Sequence, residues 1–313
     1  MRPNCLLCLI LASSLLSGQV SIRRRQLALA TPFRSAETQL DSPPNSFPPG
    51  LMPTVDTWPQ FIASVRQIAQ AHDDALPDFV CTQNIKRLAK FGEIVGWTFV
   101  DQIVAEVSYF KKKEHYKILT IDKKPPSAKA NVGIAGVSSE GDFGNALYLL
   151  FAPESNASFL MEGTDRINRR KTVRARFNIS QNNSRYRIGL EDQVVTTAYG
   201  GHCWIDLASH QVIRLEAEAK DIPRSIPVKE SSHSTEYDLV EIAGKKYWLP
   251  VHSSVQLQLV NGPHQQIDFY KAIFGRTDPL GYRGYPALDA RNDMEYKNYH
   301  KFGTEIRLVT DQN

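Results

Sequence analysis

His202, Cys203 and Asp206 lie within one five-residue stretch and are the side-chain types of an imidazole base, a thiol nucleophile and an orienting carboxylate. Extended backbone separates them, because successive side chains of a strand point to opposite faces. His202, Trp204 and Asp206 then share one side and Cys203, Ile205 and Leu207 the other, so a Cys203–His202 dyad needs a bulge. The simpler roles are a turn-opening carboxylate for Asp206 and a partly buried cross-strand packer for Trp204. Elsewhere the eight histidines are scattered, without the close His, Cys or carboxylate spacing of a zinc site. Gly133, Gly136 and Gly141 lack the spacing of a dinucleotide fingerprint, and neither a Gly-x-Ser-x-Gly elbow nor a phosphate-cradling loop occurs. The residues therefore point to a non-catalytic protein, with no cofactor and no metal.

What must position the 202–206 stretch is a hairpin. Tyr199–Asp206 and Gln211–Ala219 both alternate in polarity with a period of two, around a corner that holds Asp206, Ser209 and His210. Similar segments predict strands at about 79–90, 97–110, 114–121, 157–163, 171–180, 184–190, 195–207, 211–220, 233–242, 246–258, 265–275 and 301–310. Short polar turns between them favour an antiparallel plan over a parallel α/β one. A helix is predicted from Asp56 or Thr57 to before Pro77, with Phe61, Val65, Ile68 and Ala69 at helical spacing, Thr57 as a cap and Pro59 in the first turn. A second covers Phe143–Phe151, where Phe143, Leu147, Leu150 and Phe151 share a face and Pro153 ends it. The predicted fold is mainly β (α+β): a large curled antiparallel sheet or half-open barrel with an N-terminal helix and one short inserted helix. Residues 131–141 and 275–299 are read as surface loops, the tyrosines of the second either packing on the sheet or lining a binding mouth.

Cys5–Leu16 is a short apolar run behind Arg2, the arrangement of a secretory signal, and too short for a confident membrane span. A signal peptide is placed at 1–22, with Ala28-Leu29-Ala30 offering a cut as late as 30. Residues 31–54, rich in Pro and Ser, read as a disordered tether, and 55–310 as a single β domain. Arg2, Arg23, Arg24 and Arg25 account for the formal charge of +4; from Thr31 onward bases and acids balance at 33 each, which excludes the electrostatic footprint of nucleic-acid binding. Past the leader two cysteines remain, Cys81 and Cys203. Export allows them to form a disulfide; the alternative is two buried thiols packed as small hydrophobes. Lys111–Lys113, Lys123–Lys124, Arg169–Lys171 and Lys245–Lys246 fall at predicted turns, where they are solvated by default and available for peripheral contact with acidic lipid head groups.

Leu76-Pro77-Asp78-Phe79-Val80-Cys81-Thr82-Gln83, Gly141-Asp142-Phe143-Gly144, Tyr199-Gly200-Gly201 running into Trp204-Ile205-Asp206, Tyr247-Trp248-Leu249-Pro250 and Lys301-Phe302-Gly303-Thr304-Glu305 together resemble a family of uncharacterised exported bacterial β-rich proteins. Their sheet is similar to that of the lipoprotein-sorting carriers LolA and LolB. The resemblance spans roughly 55–310 and implies a half-open antiparallel barrel whose concave side, plugged by helices, encloses an apolar cavity for acyl chains. It carries over no acyl-binding residue. The hairpin corner departs from the family's Thr-Gly, having Ser209-His210, and His adopts a positive φ less readily than Gly.

The expected function is the non-catalytic binding of a lipid, lipoprotein or other hydrophobic ligand in the periplasm by the concave face of a curled sheet. The alternative is an envelope scaffold or sensor that binds another protein without a ligand cavity.

Overall fold

The computed structural model describes residues 8–9, 47–91, 96–126, 136–137, 143, 145–190, 193–226, 228–259 and 287–302. Ten strands form one antiparallel sheet. In chain order its members and their neighbours are α1 (Trp58–Ala75), β1 (Phe79–Phe91), β2 (Thr98–Phe110), β3 (Lys113–Ile121), α2 (Asn145–Phe151), β4 (Ser158–Ile167), β5 (Arg170–Ile179), β6 (Arg187–Leu190), β7 (Gln193–Thr196), β8 (Ala198–Asp206), β9 (Val212–Lys220), β10 (Val228–Ile242), β11 (Lys245–Leu259) and β12 (Ala287–Lys301). The order across the sheet is β3-β2-β1-β12-β11-β10-β9-β8-β5-β4, and β6 and β7 pair as a separate hairpin. Cys8–Leu9 and Gly136–Val137 pair with each other in parallel, outside this sheet. The sheet curls without closing, so β3 and β4 are its edges.

Alternation sets the two faces. Phe79, Cys81, Ile85 and Ala89 of β1 stand opposite Tyr109, Val107, Ile103 and Thr98 of β2, all turned to the inner, concave side. The same phase runs through Ala290, Met294 and Tyr296 of β12, Val255 and Leu257 of β11, and Leu215 and Ala217 of β9, to Cys203 and Ile205 of β8 and Phe177 of β5. Most of these inward residues are buried, and they divide into two apolar clusters. One lies over β1, β2, β11 and β12, where Phe143, Ile188 and Ile226 pack on it. The other lies over β5, β8 and β9, where α1 sets Phe61, Ile62, Val65 and Ala69 and α2 sets Leu147, Leu150 and Phe151 against the strands.

α1 begins where Pro59 suits a first turn. Thr57 is at the N-cap position, but its hydroxyl makes no capping bond; it accepts the Thr54 N–H at 2.8 Å instead, closing a small turn before the helix. The helix is fixed by its apolar stripe and by the Trp58 indole N–H, which donates to the Phe159 carbonyl of edge strand β4 at 3.0 Å.

Two expectations change. Residues 287–299, read as part of a loop, form most of β12, which sits in mid-sheet between β1 and β11. Its inward Ala290, Met294 and Tyr296 alternate with charged outward residues, but Asn292 interrupts the inward series and a run of Pro, Gly and Tyr precedes it, so the period of two is obscured. Within the segment read as a tether, residues 47–54 are described and docked: Phe47 is buried, its ring edge-on to Phe61 at 5.3 Å, and the Gly50 N–H donates to the Leu207 carbonyl. The segments 265–275 and 303–310, read as strands, and most of the loop 131–141 lie outside the described residues.

Candidate functional site

The structure separates His202 from Cys203 as alternation requires. Cys203 points inward and is fully buried, and burial pushes its thiol up to about 12. His202 points outward, its Nε2 at 3.2 Å from Glu162 Oε2, beside Arg174 and Arg176 on the same carboxylate. A thiol held protonated and turned away from the imidazole is neither a nucleophile nor a partner for it. Trp204 packs across the outer face, 8% exposed, with its indole N–H donating to Asp165 Oδ2 at 3.2 Å and the Arg214 guanidinium 5.1 Å from its ring. The Arg166 backbone N–H and then the Trp204 indole hold the Asp165 carboxyl below its ordinary range. Asp206 opens the corner as its residue type suggests: its Oδ2 accepts the Ser209 N–H at 2.9 Å and the Ser209 hydroxyl at 2.7 Å.

Cys81 and Cys203 are both free and buried. Each belongs to a different apolar cluster, and four strands stand between β1 and β8 in the hydrogen-bonded order. The bridge considered from sequence is therefore replaced by the alternative, two thiols packed as hydrophobes. Burial, followed by the negative charge of Glu114, raises the Cys81 thiol to about 12.

The corner residue His210 does adopt a positive φ, 55°. Burial against neighbours compensates for that conformation. His210 is 4% exposed, its ring contacts Phe47 and Phe61, and its Nδ1 lies 3.0 Å from the Ser64 hydroxyl of α1. Ser64 Oγ also donates to the Phe61 carbonyl, so the imidazole supplies the proton of the shared bond. The hairpin corner thus ties together α1, β8 and the 47–50 segment. Burial lowers the His210 pKa, against the opposing charge of Asp206.

Among the apolar residues of the first cluster's strands, and on β10 next to them, the concave face carries a belt of buried polar side chains, which no reading of single motifs anticipates. Arg87 on β1 and Asp101 on β2 form a bidentate pair, Nε–Oδ1 2.6 Å and Nη2–Oδ2 2.6 Å, with side chains 4% and 0% exposed. Gln83, one inward position along β1 from Ile85, donates through Nε2 to Tyr296 Oη at 3.1 Å and to Met294 Sδ at 3.3 Å. Tyr296 Oη is also 3.0 Å from Ser253 Oγ on β11, and on β10 the Thr235 hydroxyl is 3.0 Å from His233 Nε2. Asn292, Ser231 and these groups are all buried. Gln83 Oε1 is buried with no hydrogen-bond partner among the described residues, and exchanging the ends of the amide would leave its NH2 without one instead. The belt was legible in one respect: alternation puts Arg87 and Asp101 in phase with the apolar residues of their strands, where a solvated charge does not belong.

An open, curled antiparallel sheet with a helical plug on its concave side is the class that the fold and this face define. No protein-family model matches the chain, and no curated protein sequence does. Among solved structures, a DUF1329 family protein from Desulfovibrio piger is similar at 10% identity and a TM-score of 0.35, over 79% of this chain and 94% of that one. A LolA superfamily protein from Nitrosomonas europaea is similar at 10% identity and 0.33, over 78% and 94%. A putative outer membrane lipoprotein-sorting protein domain from Vibrio parahaemolyticus is similar at 10% identity and 0.30, over 78% and 93%. These neighbours carry the descriptions that the sequence motifs resemble. At such identities and scores they are likenesses of strand arrangement alone.

Proposed function

We propose that the chain is a non-catalytic exported protein of the cell envelope that holds an amphiphile, a lipid or the acyl group of a lipoprotein, against its concave face. The observation that carries this is the layout of that face: the apolar residues over β1, β2, β11 and β12 are threaded by a belt of buried hydrogen-bonding groups. Ala89 and Ala290, paired across β1 and β12, are the small and fully buried floor of that face, which a ligand reaches only when the groups packed over it move aside. A chain lying along it gains the ordinary ~25 cal/mol for each Å² of apolar surface withdrawn from water. Gln83 Oε1 calls for a donor, which a hydroxyl or amide of the ligand supplies. Asp101 matches the charge of Arg87, so the belt suits an uncharged polar group better than a free carboxylate.

Filling the floor tests this. Ala290→Phe is expected to weaken displacement of a fluorescent fatty-acyl probe by diacylglycerol at least tenfold, or about 1.4 kcal/mol, while the denaturation midpoint stays close to that of the native chain. If the substitution instead destabilises the fold by the ~1–3 kcal/mol of an overpacked core and leaves probe binding unchanged, the face is solid and the reading fails.

A further inference from the structure

The outer face of the β1–β3 edge combines two features that the concave-face reading does not use. Trp97, Phe99 and Leu119 are 38%, 50% and 38% exposed, three large apolar side chains on neighbouring segments of one sheet edge. Phe99 pairs with Leu88 across a register shift, which turns it to the outer side, away from inward Asp101. Beside them stand Lys117 on β3 and Lys123 and Lys124 just past its end, all exposed and none with an ion-pair partner among the described residues. Lys123 has a φ of 63° in the turn that β3 ends on, where the Lys124 N–H donates back to the Ile121 carbonyl. The acids nearby are few: Glu106 stands opposite Lys117, and Asp122 accepts the Gln102 N–H.

The segment that holds this edge is basic overall. Residues 79–124 hold nine Lys and Arg against five Asp and Glu, an excess of four bases in a body that is neutral from Thr31 onward. The rest of the body therefore carries an equal excess of acid. Three of the nine, Lys111, Lys112 and Lys113, stand at the β2–β3 turn, the far end of the strands from Phe99 and Lys123, and the Arg87–Asp101 pair is neutral, so the charge beside the apolar residues is that of Lys117, Lys123 and Lys124 facing Glu106 and Asp122.

We propose that the outer face of β1–β3 docks on an anionic lipid bilayer, with Trp97, Phe99 and Leu119 entering the head-group layer and the lysines facing its phosphates. Aromatic side chains with one wet and one apolar side settle at that depth, and lysines near an anionic surface add attraction that falls with salt. A soluble polyanion would use the lysines but gives the exposed aromatics no apolar environment. The proposal goes beyond ligand binding and does not need an occupied concave face.

The test is flotation of the mature chain with phosphatidylcholine vesicles, alone or with about 30 mol % phosphatidylglycerol, at low and high salt. Binding is expected on anionic vesicles only, lost at high salt, and reduced at least tenfold both by Lys117→Glu/Lys123→Glu/Lys124→Glu and by Trp97→Ser/Phe99→Ser. Lys245→Glu/Lys246→Glu, on the β10–β11 turn, is the control and should bind as the native chain does. All these positions are exposed, so unchanged denaturation midpoints show that the variants fold. No binding to anionic vesicles overturns the proposal, as does binding that survives either edge variant or binding to a soluble polyanion in place of vesicles. Because the readout is flotation and not ligand content, its failure leaves the concave-face reading standing.

Discussion

Asp101→Asn is expected to destabilise the protein by about 3–5 kcal/mol, measured by urea denaturation at neutral pH. The substitution barely changes shape but sets a neutral amide where the buried Arg87 guanidinium has its bidentate carboxylate, and removing one member of a buried ion pair is among the costliest single lesions. The paired replacement Arg87→Met/Asp101→Leu removes both charges and keeps apolar volume. It is expected to recover most of that loss, since buried ion pairs are often no more stabilising than well-packed hydrophobes. A loss under about 1 kcal/mol for Asp101→Asn would show that water or another group reaches Arg87, and that the belt is wet rather than buried. The pair is thus the internal standard for how dry the concave face is.

Gly201→Ala is the second substitution with a large expected effect, a loss of at least about 3 kcal/mol by the same measurement. A Cβ built on Gly201 would lie 1.9 Å from the Glu216 carbonyl oxygen, 2.8 Å from its carbon and 3.0 Å from the Ala217 Cα. All three are backbone atoms of β9, so no side chain can swing away; the β8–β9 ladder itself must open. Gly96→Ala, where a Cβ meets nothing within 4 Å, is the matched control and should be silent. Native stability of Gly201→Ala would mean that β8 and β9 do not approach as closely as described.

The contrast between these two sites shows what a sequence carries and what it hides. Tyr199-Gly200-Gly201 stands out as a motif, and the reason is close strand approach at Gly201, a backbone requirement that residue type records directly. The hairpin arms, the helix over 58–75 and the turn role of Asp206 were readable for the same reason, since each follows from local periodicity or from one side chain bonding its own turn. β12 was not: Ala290, Met294 and Tyr296 alternate inward against outward Arg291, Asp293 and Glu295, but Asn292 breaks the inward series and Pro279, Gly281, Gly284 and Pro286 stand just before it, so the segment reads as a loop. The polar belt failed for a related cause. It is assembled from Gln83, Arg87, Asp101, His233, Ser253 and Tyr296 on five different strands, and only the strand order brings them together. His210 shows the opposite error: its type argues against a positive φ, yet aromatic contacts with Phe47 and Phe61 and the Ser64 hydrogen bond hold it there.

The central claim, that the concave face holds an amphiphile, is tested most directly by native mass spectrometry of the chain isolated without detergent from its own envelope. The chain is predicted to carry a lipid-sized adduct in roughly one-to-one ratio, and Gln83→Leu, which removes the unpaired acceptor, should reduce its occupancy. A spectrum showing only the bare mature chain would contradict the account.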